Sequence, residues 1–580
     1  MKRCPECRRD YYDDSLSYCL DDGTALLEGP SSVDDPATVI LPLEAEPPTI
    51  LGDSTERQSL SAHRAAQPHE TGTLAEQQGV ERRPAGLKNR VLQFVALLCF
   101  GVLIAGGFFG YRYYASTNAG EIRSIAVLPF QNRNSDADTE YLSDGLAESL
   151  IYRLSQIPDL KVSPRSSVFR YKGQDADAEK VGSELGVDAV MSGRLIQRGE
   201  NLTISVDLVD VRNKRTLWGE QFERKISDLL TTQREIASAI TEKLQLKLSG
   251  GETKGITKQY TNDNEAYQLY LKGRYYWNRR TAESLKKSIE LLTAATEKDP
   301  NFALAYAGLA DAYVVASTYT GERAIETMPK AKLYAMKSIE LDPTLAEPHA
   351  ALGLATWFND WDKPGAEKEF QRAIELNPNY PTAHHWYSRH LRSLGRSDEG
   401  FKEIQKAVEL DPMSLIFINN IAETYIDQGN LDAAYKECQR IIELDPNFWA
   451  VYQTLVWVRV KQGKYDDALV AAQKGVELSN RSNSSLTELG YVYGKLGRTN
   501  DAQAIIKELE ERYATKTADG TDIAEVYAGL GDKDRAFEWL EKAFGYHSFE
   551  LATLRISPLL DPLHSDPRWK DLAHRIGVME

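Results

Sequence analysis

The C-terminal half of this 580-residue chain repeats every 34 residues. Glycine recurs at this step from Gly395 to Gly531, and alanine recurs from Ala434 to Ala536. A fixed period of this length indicates a solenoid of helical hairpins, in which each hairpin buries its apolar face against its neighbours. We therefore predict an all-α solenoid over residues 260–544, followed by an atypical C-terminal cap over residues 545–580.

The repeated residue types fit the geometry of such hairpins. Small residues such as Gly353 and Gly490 let two helices approach closely, and a glycine such as Gly395 turns the chain from the first helix to the second. A proline such as Pro412 ends the second helix. This pattern resembles the tetratricopeptide repeat. It predicts eight units that begin near residues 265, 304, 346, 381, 415, 449, 484 and 519.

In tetratricopeptide proteins the first helix of each unit lines a concave groove. The same register predicts six partner-binding residues in this chain: His385, Arg389, Asn419, Glu423, Gln453 and Trp457. Their mixture of aromatic and charged groups favours a peptide or protein ligand. Two alternatives stay open: the polar groups are simply solvated, and Trp457 is a structural residue between neighbouring units.

Residues 122–250 alternate strand and helix patterns and then show three strands in succession, which predicts one small α/β domain. Four segments resemble the TolB-like N-terminal domain of bacterial envelope proteins. They are residues 125–130 (IAVLPF), 141–146 (YLSDGL), 186–193 (GVDAVMSG) and 217–222 (LWGEQF). The resemblance implies a role in protein interaction and not in catalysis.

Three of the five cysteines lie within the first twenty residues. Cys4 and Cys7 form one CxxC pair, and Cys19 with Asp22 forms a second pair in which a carboxylate replaces the fourth thiolate. Zinc takes four tetrahedral ligands of these kinds, so residues 1–27 resemble a degenerate zinc ribbon. The alternative is a relic that binds no metal. Residues 28–87 are proline-rich and contain no Phe, Trp or Tyr, which predicts a disordered linker.

Residues 91–111 carry no charge and are long enough to cross a bilayer, which predicts a transmembrane helix over residues 89–114. A cluster of basic residues precedes this segment, so we expect a cytoplasmic N-terminus and a periplasmic C-terminal region in a single-pass inner-membrane protein. Gly106 and Gly110 form a GxxxG pair, which permits a homodimer through this helix.

The sequence excludes several functional classes. A net charge of −16 argues against nucleic-acid binding by a broad basic face, and catalytic motifs are absent, so we expect no enzyme. Cys438 stands alone and is predicted to be a buried structural thiol. The prediction is a multidomain, membrane-anchored scaffold that binds partner proteins. The alternative is a transmembrane receptor that couples the outer solenoid to the cytoplasmic zinc ribbon.

Overall fold

The computed structural model describes residues 122–133, 139–174, 177–246, 248–320 and 322–578, together with three two-residue strands nearer the N-terminus. The chain forms two compact units, Met1–Gly101 and Val102–Glu580. In the first unit, strand β1 (Lys2–Arg3) pairs antiparallel with both β2 (Asp10–Tyr11) and β3 (Leu27–Glu28). The predicted zinc ligands fall in the two connections between these strands, outside the described residues.

No helix in the described part of the chain is long and apolar enough to cross a membrane. This finding contradicts the prediction of a single-pass inner-membrane protein with a periplasmic C-terminal region. The segment behind that prediction, residues 89–114, lies outside the described residues, as do the linker and the GxxxG pair. The more apolar of the two 18-residue helices, Ala303–Thr320, carries Asp311, which forms an ion pair with Arg274 inside the solenoid.

The second unit begins with an α/β domain whose sheet has the strand order β6-β4-β7-β8-β9, with β5 beside β7. Strand β4 is parallel to its neighbours, whereas β7, β8 and β9 form an antiparallel meander. Alternate residues of β8 are buried, which matches the alternation of apolar and polar residues in its sequence. The strands are β4 Ser124–Val127, β5 Gln131–Asn132, β6 Lys161–Val162, β7 Ala189–Arg198, β8 Asn201–Asp210 and β9 Arg215–Lys225. The helices are α1 Glu140–Ser155, α2 Arg165–Val168, α3 Ala178–Leu185, α4 Leu229–Lys243 and α5 Gly250–Thr257.

The rest of the second unit is a tetratricopeptide-like solenoid of eight helical hairpins. Their first helices begin within one residue of the predicted positions. The hairpins are α6 Asn264–Trp277 with α7 Ala282–Lys298, α8 Ala303–Thr320 with α9 Ala324–Leu341, α10 Glu347–Ala355 with α11 Lys363–Leu376, α12 Pro381–Ser393 with α13 Ser397–Leu410, α14 Leu415–Asp427 with α15 Leu431–Leu444, α16 Trp449–Lys461 with α17 Tyr465–Leu478, α18 Asn483–Lys495 with α19 Thr499–Ala514, and α20 Gly520–Leu530 with α21 Lys533–Gly545. Two 3-10 segments, Phe549–Ile556 and Pro558–Leu563, and helix α22, Pro567–Ile576, end the chain.

The turn between the two helices of a unit places one residue in the left-handed backbone region. Five units use glycine there, from Gly395 (φ 76°) to Gly531 (φ 79°), as the sequence predicts. In the first unit this position is occupied by Arg280 (φ 54°), and in the third unit by Trp361 (φ 53°). In all seven of these units the residue immediately precedes the N-cap of the second helix.

The α/β domain and the first hairpins share one continuous apolar core, in which Leu146 of α1 and Leu271 of α6 are both buried. Arg153, which is 1% exposed, donates hydrogen bonds to the carbonyl oxygens of Ile256 and Lys258 in the connection to the solenoid. The predicted burial of Cys438 is confirmed, and burial raises the pKa of this thiol to about 12.

Candidate partner-binding surface

Two positions of the first helices recur at the 34-residue step in the fourth, fifth and sixth units. The first position is occupied by His385, Asn419 and Gln453, and the second by Arg389, Glu423 and Trp457. The two positions are four residues apart, so they lie on one face of helices α12, α14 and α16. We call this set of six residues the ladder face.

Two members of the ladder face are interior residues. His385 is 7% exposed and Asn419 is 2% exposed. The ring of His385 lies 5.0 Å from the ring of Phe417 in the next unit. Burial, reinforced by the charge of Arg389, lowers the pKa of His385 to about 3, so its imidazole is neutral at neutral pH. The accessible part of the ladder face therefore consists of the four half-buried residues Arg389, Glu423, Gln453 and Trp457.

Arg392 forms ion pairs with two acidic residues of the next unit, one of which belongs to the ladder face. Its guanidinium is fully buried and forms ion pairs of 2.9 Å with Glu423 and 2.6 Å with Asp427, both on helix α14 of the next unit. Burial alone would lower the pKa of Arg392, but the two carboxylates hold it above its usual value. Arg392 therefore joins two units and fixes the position of Glu423.

Arg389 has no such partner. In the described part of the chain it forms no ion pair and no hydrogen bond. Glu423 accepts from Arg392 and from the side-chain amide of Asn419, at 2.9 Å each. Burial lowers the pKa of Arg389 from its ordinary value, and the charge of Glu423 opposes this shift. The ladder face thus carries a cation that is not neutralised by direct contact.

Two buried polar atoms near Arg389 also lack partners. Among the described residues, neither Oδ1 of Asn419 nor one terminal nitrogen of Arg392 (Nη2) has a hydrogen-bond partner. Most buried polar groups in proteins are hydrogen-bonded, so such atoms call for a specific explanation. Both atoms are enclosed by the surrounding protein, so they are not open to a ligand in this structure.

Trp457 has extensive apolar contacts. It packs, half-buried, against the apolar cluster around Cys438 and against the larger cluster around Leu486. This placement agrees with the alternative in which Trp457 is a structural residue between neighbouring units. Gln453, one turn earlier, is half-buried.

The α/β domain covers other parts of the solenoid. Glu148 of α1 contacts Arg274 of α6 at 3.0 Å, and Arg274 also contacts Asp311 of α8 at 3.1 Å. Farther along, Ser167 donates a hydrogen bond of 2.7 Å to Asp411, in the loop after the fourth unit. These contacts involve residues 126 and 244 positions apart, so no local sequence signal could have revealed them.

A metal site was predicted only at the N-terminus, from Cys4, Cys7, Cys19 and Asp22, and that prediction stays untested. Within the described ranges, no group of three or more histidine, cysteine, aspartate or glutamate side chains could hold a metal ion. His384, which stands in a histidine-rich stretch of α12, contacts Glu403 at 2.6 Å through Nδ1.

Comparison with known families adds two matches. Residues 121–239 match the family described as the second domain of HilA/YgeH-like transcriptional regulators. Residues 417–448 match a tetratricopeptide repeat family, which agrees with the repeat architecture. The resemblance of the α/β domain to TolB-like domains has no support from these matches and stays a prediction.

Two curated relatives share parts of the chain. The protein named "Putative adenylate cyclase 3" of Rhizobium meliloti (strain 1021) is 31% identical over 246 residues, which are 41% of this chain and 41% of that protein. The transcriptional regulator HilA of Salmonella typhimurium is 26% identical over 286 residues, which are 48% of this chain and 49% of HilA. The chain thus spans less than half the length of these relatives. Because one of them is named as a cyclase, the expectation that this chain is not an enzyme stays a prediction.

Among solved structures, yeast Tom70 is similar over 76% of this chain and 85% of its own, with 16% identity and a TM-score of 0.37. The Cut9–Hcn1 assembly of the APC/C is similar over 60% of this chain and 66% of its own, with 18% identity and a TM-score of 0.37.

Proposed function

We propose that this chain is a scaffold that binds a segment of a partner protein on the ladder face. A tetratricopeptide-like fold is consistent with a protein-interaction role. The observation that carries the more specific proposal is Arg389, a half-buried cation without an ion pair in the described residues. A bound segment with an acidic group would give the guanidinium of Arg389 the partner that it lacks.

The spacing of the ladder face suits an elongated ligand. Arg389 lies on helix α12 and Gln453 on helix α16, two units apart, and the amide of Gln453 can both donate to and accept from a peptide backbone. Glu423 is already oriented by Arg392, so its carboxylate would add a fixed charge beside the ligand without further ordering.

The names of the two relatives support a regulatory scaffold. One is named as an adenylate cyclase and the other as a transcriptional regulator, and this chain resembles less than half of each. A chain that resembles parts of proteins with such different names is suited to a task that both require, such as binding a regulatory partner. No catalytic role is proposed for the solenoid.

The test compares what full-length variants retain from extracts of the source cell under equal salt. Arg389→Ala removes the unpaired cation, and Lys402→Ala is the matched control, because Lys402 is an exposed cation on the second helix of the same unit. We expect at least one protein to be retained by the wild type and by Lys402→Ala and lost with Arg389→Ala. Identical retention by all three proteins would contradict the proposal.

A further inference from the structure

In two units, the turn position before the second helix is not occupied by glycine. Five units place glycine there, whereas Arg280 and Trp361 adopt the same left-handed backbone with a full side chain. A β-carbon makes this conformation costly, so the side chain at such a position must offset that cost by an interaction of its own.

Trp361 shows what such a side chain does. Its ring stacks on His547 with 3.6 Å between ring centroids and an interplanar angle of 16°, and it lies 5.5 Å from Phe544. The tryptophan thereby holds the beginning of the C-terminal segment against the third unit. The left-handed turn of this unit thus carries a side chain that packs against the C-terminal segment.

The stacking partner of Arg280 lies in its own unit, so Arg280 does not join two segments of the chain as Trp361 does. Its guanidinium lies over the ring of Trp277, 3.7 Å from the centroid, but it forms no ion pair and no hydrogen bond in the described part of the chain. The indole nitrogen Nε1 of Trp277 is buried, and it too lacks a hydrogen-bond partner among these residues. The carboxylate of Asp311 contacts Arg274 instead.

We propose that Arg280 and Trp277 form a binding site for an oxyanion, namely a carboxylate or phosphate group carried by a ligand. The guanidinium presents several N–H donors in a planar fork that matches the oxygens of such groups. Stacking on the indole ring of Trp277 fixes the plane of that fork. The site belongs to the first unit and is separate from the ladder face, so it extends the proposed function.

The competing explanation is that Arg280 serves only to stack on Trp277. Substitution by glycine separates the two roles, because glycine adopts the left-handed turn without strain. If the side chain serves a ligand, Arg280→Gly melts at or above the wild-type temperature and loses anion binding. Trp361→Gly is the matched control: it occurs at the same turn position but removes an internal contact, so we expect it to melt below the wild type.

Binding is measured by isothermal titration of the full chain with sodium phosphate and, separately, with sodium succinate, with sodium chloride keeping the ionic strength constant. We expect Arg280→Gly to weaken binding at least tenfold and Trp277→Leu to weaken it about threefold, because leucine keeps an apolar side chain but removes the ring on which the guanidinium stacks. Arg279→Gln, an exposed neighbour, should bind within twofold of the wild type.

Each outcome has a definite meaning. Binding of phosphate alone assigns the site to a phosphorylated ligand, and binding of succinate alone assigns it to a carboxylate ligand. The proposal is overturned if neither anion binds, if Arg279→Gln weakens binding as much as Arg280→Gly does, or if Arg280→Gly melts several degrees below the wild type.

Discussion

Arg392 and Glu423 form an ion pair of 2.9 Å although they belong to consecutive repeat units. The same guanidinium holds Asp427 at 2.6 Å, and the arginine side chain is completely buried. A single side chain thus connects the stacking of two units with the orientation of a carboxylate on the ladder face.

Arg392→Ala is expected to destabilise the solenoid strongly. The change leaves the half-buried carboxylates of Glu423 and Asp427 without their cation. Removing one partner of a fully buried pair costs about 3–5 kcal/mol, so we expect a loss of about 2–4 kcal/mol here. Urea unfolding of the full chain, followed by circular dichroism, measures the effect. Lys406→Ala is the control because its ion pair with Glu409 is exposed and lies within one helix, and we expect a loss of about 1 kcal/mol or less. Equal losses for the two variants would show that the buried network is not needed for stacking.

Stability is expected to fall as the pH rises from mildly acidic to mildly alkaline values. Burial raises the pKa of Glu525 to about 8, with the charges of Asp522 and Asp519 acting in the same direction and the hydrogen bond from Ser557 acting against it. The folded chain therefore keeps a proton that the unfolded chain releases near its ordinary pKa of 4.5. The protonated carboxyl contributes its full stability below that value, and the contribution is lost as the pH rises towards 8.

The comparison of urea midpoints at pH 5.5 and pH 8.5 tests this pH dependence. Glu525→Gln mimics the protonated side chain, so its midpoint should fall less than that of the wild type over this range. Glu443→Gln, at an exposed position, should behave like the wild type. If Glu525→Gln shows the full wild-type decrease, the buried carboxyl of Glu525 does not titrate as proposed.

His547→Ala should loosen the C-terminal segment without disturbing the turn that it contacts. The substitution removes the ring on which Trp361 stacks, and aromatic pairs of this type contribute about 0.5–1.5 kcal/mol beyond their buried area. We expect faster amide hydrogen exchange in residues 549–563 and little change in residues 415–460. Unchanged exchange in the C-terminal segment would mean that other contacts, such as that between Phe358 and Phe549, are sufficient to hold it.

The full chain, purified under reducing conditions, is expected to contain one zinc ion. The prediction rests on the two ligand pairs of Cys4, Cys7, Cys19 and Asp22. Cys4→Ser should reduce the zinc content, measured by mass spectrometry of the metal, to near zero. Cys438→Ser is the control because this thiol is buried in the solenoid. Absence of zinc from the wild type would favour the relic that binds no metal.

The sequence predicted the repeat register well because the signal is periodic. Glycine and proline mark the turns, and the alternation in β8 marks a strand with one buried face. The same register placed the six residues of the ladder face on the first helices of three consecutive units. It did not predict that His385 is covered by Phe417 of the next unit, since burial there depends on packing between units.

Contacts between distant segments could not be predicted from the periodicity of the sequence. Ser167 and Asp411 meet because the α/β domain lies against the loops of the solenoid, and a single sequence contains no signal for such docking. One exceptional turn residue, Trp361, could be recognised from the sequence, however. Trp361 lies 34 residues before Gly395, so a break in the glycine series marked a position where a side chain was retained despite backbone strain.

Site-specific photocrosslinking tests the central claim, partner binding on the ladder face, most directly. A photoreactive amino acid replaces Gln453 on the ladder face in one variant and Val470, which is 69% exposed on a second helix, in the other. After irradiation in source-cell extract, we expect a discrete partner adduct from position 453 that disappears when Arg389→Ala is added, and no such adduct from position 470. A partner adduct from position 470 alone would contradict binding at the ladder face. An adduct from position 453 that persists with Arg389→Ala would contradict the role given to Arg389 in that binding.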